Sequence, residues 1–202
     1  METRKSHKVQ GRPRAFDIDE ALEQALQMFW RKGYLGTSLT DLTEAMGINR
    51  PSLYATFGNK ETLFRKVLDR YSDRQTAYLR EALEEPTARR VIERMMYGVV
   101  DLLTNPCNPS KCLFALSMLS CRDPDDPLHQ ELAERRVLGE IAIRDRFERA
   151  LSEGDLPSDI DPATLARFVV TVNFGMSVQA ASGASRAQLL EVVQTALRAC
   201  RI

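Results

Sequence analysis

MGINRPSLYATF, residues 46–57, is the stretch on which the reading of this chain turns. Its apolar residues are spaced as on a helix, yet a proline stands near its start and a tyrosine is flanked by small and polar neighbours. In a helix interior, proline removes an amide hydrogen bond and clashes with the preceding turn. In the first turn it does neither, because the first amides have no carbonyl partner and the ring already sets a helical φ. With Asn49 as the opening cap and Phe57–Gly58 as the close, Pro51 starts a short helix rather than breaking one. The preceding TSLTDLTEAMG, residues 37–47, reads as a second short helix. Ser38 and Asp41 stand at capping-box spacing, Leu39, Leu42 and Met46 form the apolar side, and Gly47 ends it.

Two short helices joined at a glycine, the first bracing the second, make a helix-turn-helix, whose outward helix fits the DNA major groove. Leu42, Met46, Ile48 and Leu53 supply the inner side, and Thr43 is small where the helices cross. Arg50, Ser52, Tyr54, Ala55 and Thr56 are left for the outward and flanking faces. The alternative is an ordinary helical hairpin within a core. Against it, a purely structural hairpin has little need for an arginine, two hydroxyls and a tyrosine on one short helix, followed directly by Asn59 and Lys60.

Outward from this centre the helical pattern continues in both directions. FDIDEALEQALQMFWRKG, residues 16–33, places Ile18, Leu22, Ala25, Leu26, Phe29 and Trp30 on one stripe, with Asp17 as cap, Glu20 at the capping-box position and Gly33 as stop. Asn59 caps a long fourth helix, residues 59–83, carrying Leu63, Phe64, Val67, Leu68 and Tyr71, which is expected to connect two domains. Further helices are expected from Thr87, over 111–121, over 128–154, from Asp161–Pro162, and from the Ser185/Gln188 capping box. No convincing strand, repeat or low-complexity tract is present. The fold expected is all-α: a basic arm (1–14), a three-helix DNA-binding domain (15–60) and a further helical domain (61–202).

The chain has 202 residues, is 44% hydrophobic and carries no formal net charge. It is long enough for a sizeable core without staples. The distribution of charge says more than its sum. Arg4, Lys5, Lys8, Arg12 and Arg14 oppose only Glu2 at the start, which suits an anionic partner as well as it suits a solvated tail. The chain opens on charged METRKSHK, its four cysteines are scattered, and no run approaches the ~18 apolar residues of a membrane span, so a soluble cytoplasmic protein with no membrane partner is expected.

GTSLTDLTEAMGINRPSLYATFGNKETLF, residues 36–64, resembles the DNA-binding motif of the TetR family of transcriptional regulators. The likeness rests on Thr37 and Ser38 opening one helix, the Leu53–Tyr54 pair in the next, and Phe57 ahead of Asn59–Lys60. The resemblance implies double-stranded DNA as partner. Arg50 would reach guanine O6 and N7, a contact worth ~1–3 kcal/mol of discrimination. Pro51 and Ala55 would meet thymine methyls, and Ser52 a base or a phosphate. Tyr54, Thr37, Thr40, Thr56 and Lys60 would hold phosphates, with Ser38 and Asn59 alongside, and Arg12 and Arg14 would form an arm for the minor groove. At Ala55–Thr56 the chain departs from relatives in which histidine or an aromatic is frequent.

One such module contacts few base pairs, so a homodimer on a pseudo-palindrome is expected. The last two helices carry more apolar surface than one inward face needs, with Phe168, Val172, Met176, Leu190, Val193 and Leu197 as interface candidates. The resemblance also implies a small-molecule effector pocket between reader and dimer interface, its candidate lining Tyr78, Met96, Phe114, Met118 and Phe174, and a repressor released by its ligand. Each of these side chains serves equally well as plain core. Cys112 and Cys121 are candidates for oxidant or electrophile sensing, against the alternative of buried small hydrophobes. Cysteine and histidine spacings match no metal site, no cofactor is implied, and there is no phosphate loop, GxSxG or HExxH, so no catalytic residue is assigned. A helical enzyme and a protein-binding adaptor are the remaining alternatives.

Overall fold

The computed structural model describes residues 16–120 and 126–200. Arg12, Arg14 and Cys121 lie outside the described residues, as does the side chain of Met118. Helices follow one another as α1 (Ile18–Gly36), α2 (Leu39–Met46), α3 (Arg50–Phe57), α4 (Lys60–Arg74), α5 (Ala77–Leu83), α6 (Ala88–Thr104), α7 (Leu113–Ser120), α8 (Pro127–Ser152), α9 (Pro162–Ala181) and α10 (Arg186–Ala199), with no strand among the described residues.

Local chemistry accounts for most of these boundaries. The carboxylate of Asp17 accepts from the amides of Asp19 and Glu20, Ser38 and Asp41 form the reciprocal capping box, and Asn49, Asn59, Thr87, Asp161 and Ser185 cap the helices that follow them. Gly47 takes the left-handed conformation, φ 63° and ψ 30°, that turns α2 into α3. In α1 the expected stop at Gly33 is a kink instead. Gly33 has φ 73°, one more helical turn follows it, and the Thr37 hydroxyl donates to the Gly33 carbonyl at 2.7 Å.

The long fourth helix expected over 59–83 is divided in two. The amides of Gln75 and Thr76 both donate to the Tyr71 carbonyl, and the Thr76 hydroxyl and Arg80 both donate to the Ser72 carbonyl, so the ladder is diverted where α5 begins.

Two apolar clusters organise the packing. One joins α1–α4 around Leu26, Phe29, Trp30, Leu53, Phe64 and Tyr71, and takes in Leu102, Leu113, Leu128 and Leu132 from later helices. The other unites α5, α6, α8, α9 and α10 around Ile92, Met95, Met96, Phe147, Val169 and Val193. Several residues expected elsewhere belong to this interior. Met176, Val193 and Leu197 are buried within the protomer, so their stripes on α9 and α10 serve its own core; Met96 is fully buried in α6. The large apolar side chains exposed on α9 and α10 are Phe168, Val178 and Val192, with Val172 and Leu190 half-buried.

Ion pairs tie α4 to α1 on one side and to α8 on the other. Arg70 of α4 pairs with Asp19 and Glu23 of α1 at 2.9 Å. Arg65 of α4 meets Glu131 of α8 at 2.6 Å, and Arg135 of α8 meets Asp69 of α4 at 2.7 Å.

Candidate functional site

The outer surface of α2–α3 is set by what the inner surface must bury. Leu53 and Phe57 point into the core beside Leu42 and Met46, which leaves Arg50, Pro51, Tyr54 and Ala55 exposed and Ser52 and Thr56 half-exposed on α3. Tyr54 keeps 49% of its surface in solvent. Arg50 stands in the first turn and its Nη2 donates to Thr40 Oγ1 at 3.0 Å, so the two exposed side chains from α2 and α3 already form one polar ridge. The side-chain Oδ1 of Asn49 accepts from the Ser52 amide at 2.8 Å, aligning the helix start beneath that ridge.

Beside it, Lys60 lies at the start of α4 with Nζ 4.4 Å from the centre of the Tyr34 ring, a cation–π arrangement. Burial lowers the Lys60 pKa, and the nearby charge of Asp41 opposes that shift. Asp41 itself is held well below the usual carboxylate range, first by the hydrogen bond from Lys32 at 2.6 Å and then by the hydroxyl and amide of Ser38. Ser38 and Asn59 are exposed, but their side-chain oxygens serve the caps of α2 and α4. Thr37 differs from expectation: it is 1% exposed with its hydroxyl given to Gly33, so its side chain braces the α1–α2 corner instead of facing a phosphate. Tyr34 and Lys32 belong to this surface and were absent from the sequence-based set, because their roles come from Lys60 and Asp41 across a turn, not from a local pattern.

Behind the reading surface lies a cavity of about 400 Å³ between α4–α5, α6, α7, α8 and α9, within the ~300–1,000 Å³ of small-molecule sites. Of the five expected lining residues, Tyr78, Phe114 and Phe174 line it and Met96 does not. Cys112, Leu132 and Asn173 line it too. Asn173 escaped notice as one polar residue in an apolar run, and its Oδ1 is buried with no hydrogen-bond partner.

One wall of the cavity is fastened to the reading head. The Trp30 indole of α1 donates to the Lys111 carbonyl at 2.5 Å, and Lys111 Nζ donates to the Arg31 carbonyl at 3.1 Å. The Tyr71 hydroxyl of α4 donates to Cys112 Sγ at 3.7 Å and accepts from the Leu113 amide at 3.4 Å. Lys111–Leu113 is therefore a latch: it leads into α7 and carries Cys112, which lines the cavity. Among the described residues no group of three or more His, Cys, Asp or Glu is placed to hold a metal ion, and no helix is long and apolar enough to cross a membrane.

An exposed arginine-led helix, seated by its inner face on a brace and turned by a left-handed glycine, defines a helix-turn-helix DNA-binding regulator. Comparison with known proteins agrees. Residues 21–67 match the family model described as bacterial regulatory proteins, tetR family. Over 194 residues, 95% of this chain and 92% of the relative, the sequence is 36% identical to the HTH-type transcriptional repressor ComR of Escherichia coli (strain K12). It is 33% identical over 162 residues to the uncharacterized HTH-type regulator YezE of Bacillus subtilis (strain 168), covering 79% of this chain and 83% of that protein. The TetR-family regulator CifR, as a cysteine mutant complexed with 26-bp double-strand operator DNA, superposes with a TM-score of 0.89 at 42% identity, over 94% of this chain and 100% of that one. The chain belongs to the TetR family of transcriptional regulators.

Proposed function

We propose that the protein is a cytoplasmic transcriptional repressor that binds a two-fold symmetric operator as a homodimer and leaves it when a small molecule occupies the cavity. The observation that carries the DNA-binding part is the Arg50–Thr40 ridge standing exposed over a buried inner face. In this reading residues 15–60 form the reading head, with residues 1–14 as its basic arm, and residues 61–202 bind the effector and dimerise. Arg50 reads a base edge, Pro51, Ser52 and Ala55 approach bases, and Tyr54, Thr40, Thr56 and Lys60 hold phosphates. Phe168, Val178 and Val192, exposed on α9 and α10, supply apolar surface for the partner protomer.

Release requires that the ligand favour one arrangement of the two heads over the other, since equal affinity for both shifts nothing. The latch supplies the means: Cys112 lies against the cavity, and the adjacent Lys111 and Leu113 are bonded to α1 and α4. The test is selection of bound duplexes from a random pool, followed by footprinting and sedimentation of the complex. A palindromic consensus covered by two protomers is expected; recovery of unrelated sequences overturns the assignment. A second reading, in which an oxidant or electrophile acts at Cys112, is favoured by the thiol's place in the cavity wall. Retention of oxidant-triggered release in Cys112→Ser removes it.

A further inference from the structure

The cavity has a chemistry as well as a size. The charged side chains at its edge are already paired. Arg135 meets Asp69 and Glu131, Arg136 meets Glu140, Glu140 also meets Arg167, and Arg80 meets Asp73. No uncompensated charge is left among them for an ionic ligand, and burying such a ligand unpaired is costly.

Two polar groups inside are not spent in the same way. Asn173 Oδ1 is buried without a partner, while the backbone carbonyl of the same residue accepts from Ser177 Oγ at 3.1 Å. A buried acceptor left alone costs ~1–3 kcal/mol, which a ligand donor recovers. Tyr78 is the second. Its ring lies directly on the backbone of Gly98 in α6, where an added Cβ would come 2.2 Å from Tyr78 Cδ2, so glycine at 98 is what makes room for the ring. Among the described residues no hydrogen bond reaches the Tyr78 hydroxyl. Burial, with a contribution from Cys112, pushes the phenol far above its ordinary value, which keeps it a donor.

We infer that the effector is a neutral, largely apolar molecule bearing a hydroxyl group, held by hydrogen bonds to Asn173 and Tyr78. This rests on the cavity being the effector site. A single hydroxyl both donates, as Asn173 Oδ1 requires, and accepts, as Tyr78 requires, from one small neutral group. A carboxylate has nothing to give Asn173 and meets only arginines already held by carboxylates, and a hydrocarbon leaves the amide oxygen unsatisfied.

Three probes of one shape separate these possibilities: 4-phenylphenol, biphenyl and biphenyl-4-carboxylate. Each is titrated by calorimetry into the full-length protein and into Asn173→Leu and Tyr78→Phe, with release of the selected operator followed by fluorescence anisotropy. The phenol is expected to bind about tenfold tighter than either analogue, the scale of one good hydrogen bond. Each substitution should lower its affinity about five- to tenfold while leaving biphenyl within about twofold. Two results overturn the inference: biphenyl or the carboxylate equalling the phenol, or both variants binding the phenol like the parent. If biphenyl binds and releases operator without preference for the phenol, the hydroxyl is refuted and the effector site stands. If no probe binds or releases operator, both fall.

Discussion

Replacing Trp30 tests whether the latch holds the reading head in place. The indole is fully buried, meets Tyr71 edge-on at 5.0 Å and 86°, and gives its N–H to the Lys111 carbonyl. β-(3-Benzothienyl)alanine at position 30 keeps the bicyclic shape and substitutes sulfur for the N–H, so the loss is the hydrogen bond alone. Stranding the half-buried Lys111 carbonyl costs up to ~1–3 kcal/mol, and for a chain of this length each kcal/mol lowers the melting temperature by about 2–4 °C. A fall of roughly 2–12 °C in thermal denaturation is therefore expected. Trp30→Phe should fall further, because it also leaves a void against Tyr71. Lys111→Met, which removes only the exposed Nζ contact to the Arg31 carbonyl, should stay within about 2 °C. A benzothienyl variant that melts with the parent and releases operator with the same ligand dependence would refute the latch.

Arg50→Ala should leave stability unchanged, since the side chain is exposed and its partner Thr40 is too, yet lower operator affinity by ~1–3 kcal/mol per half-site in titrations that barely alter binding to random duplex. Equal losses on both DNAs would remove the base-reading role. Lys60→Met keeps the packing on Tyr34 but removes the charge, so both duplexes should weaken alike and the slope of log affinity against log salt should fall by about 1 per bound protomer. Asp41 gives a pH signature. Its folded pKa lies below the unfolded value of ~3.9, so its stabilising effect is complete above that pH and is lost as pH falls below it. Urea denaturation should show Asp41→Asn less stable than the parent at pH 6, with the gap closing in stronger acid.

What the sequence made legible is local chemistry. Asp17, Ser38 with Asp41, Asn49, Asn59, Asp161 and Ser185 each act on amides two to three residues away, and each cap is found where its spacing places it. Pro51 in the first turn and Gly47 at the left-handed corner are read by the same logic. The break at Gln75–Thr76 has no glycine or proline to announce it; it depends on which carbonyl the Thr76 hydroxyl and Arg80 choose. Burial on α9 and α10 was legible as excess apolar surface but not as direction. Met176 and Val193 turn inward and Phe168 and Val192 outward because α6 and α8 cover only part of α9, and α6 and α9 only part of α10, and periodicity on a helix apolar on several faces does not say which part. Thr37 illustrates the same limit: its hydroxyl is claimed by a carbonyl four residues back.

The contacts that join α1–α4 to α7 and α8 are of two physical kinds, and that difference bears on how a ligand signal would travel. The pairs Arg65–Glu131 and Arg135–Asp69 join α4 to α8 through side chains that remain partly in water, where salt screens them and their net worth is small. The bonds of Trp30 to Lys111 and of Tyr71 to Leu113 are made by fully buried rings and are insensitive to salt. Raising salt therefore weakens the grip on DNA and the ionic clasp together while leaving the latch intact. If the latch carries the coupling, the ratio of operator affinities with and without ligand stays constant as salt is raised, although both affinities fall by orders of magnitude. If the ionic clasp carries it, the ratio shrinks towards one over the same range, and the path from cavity to head runs through α8 instead of α7.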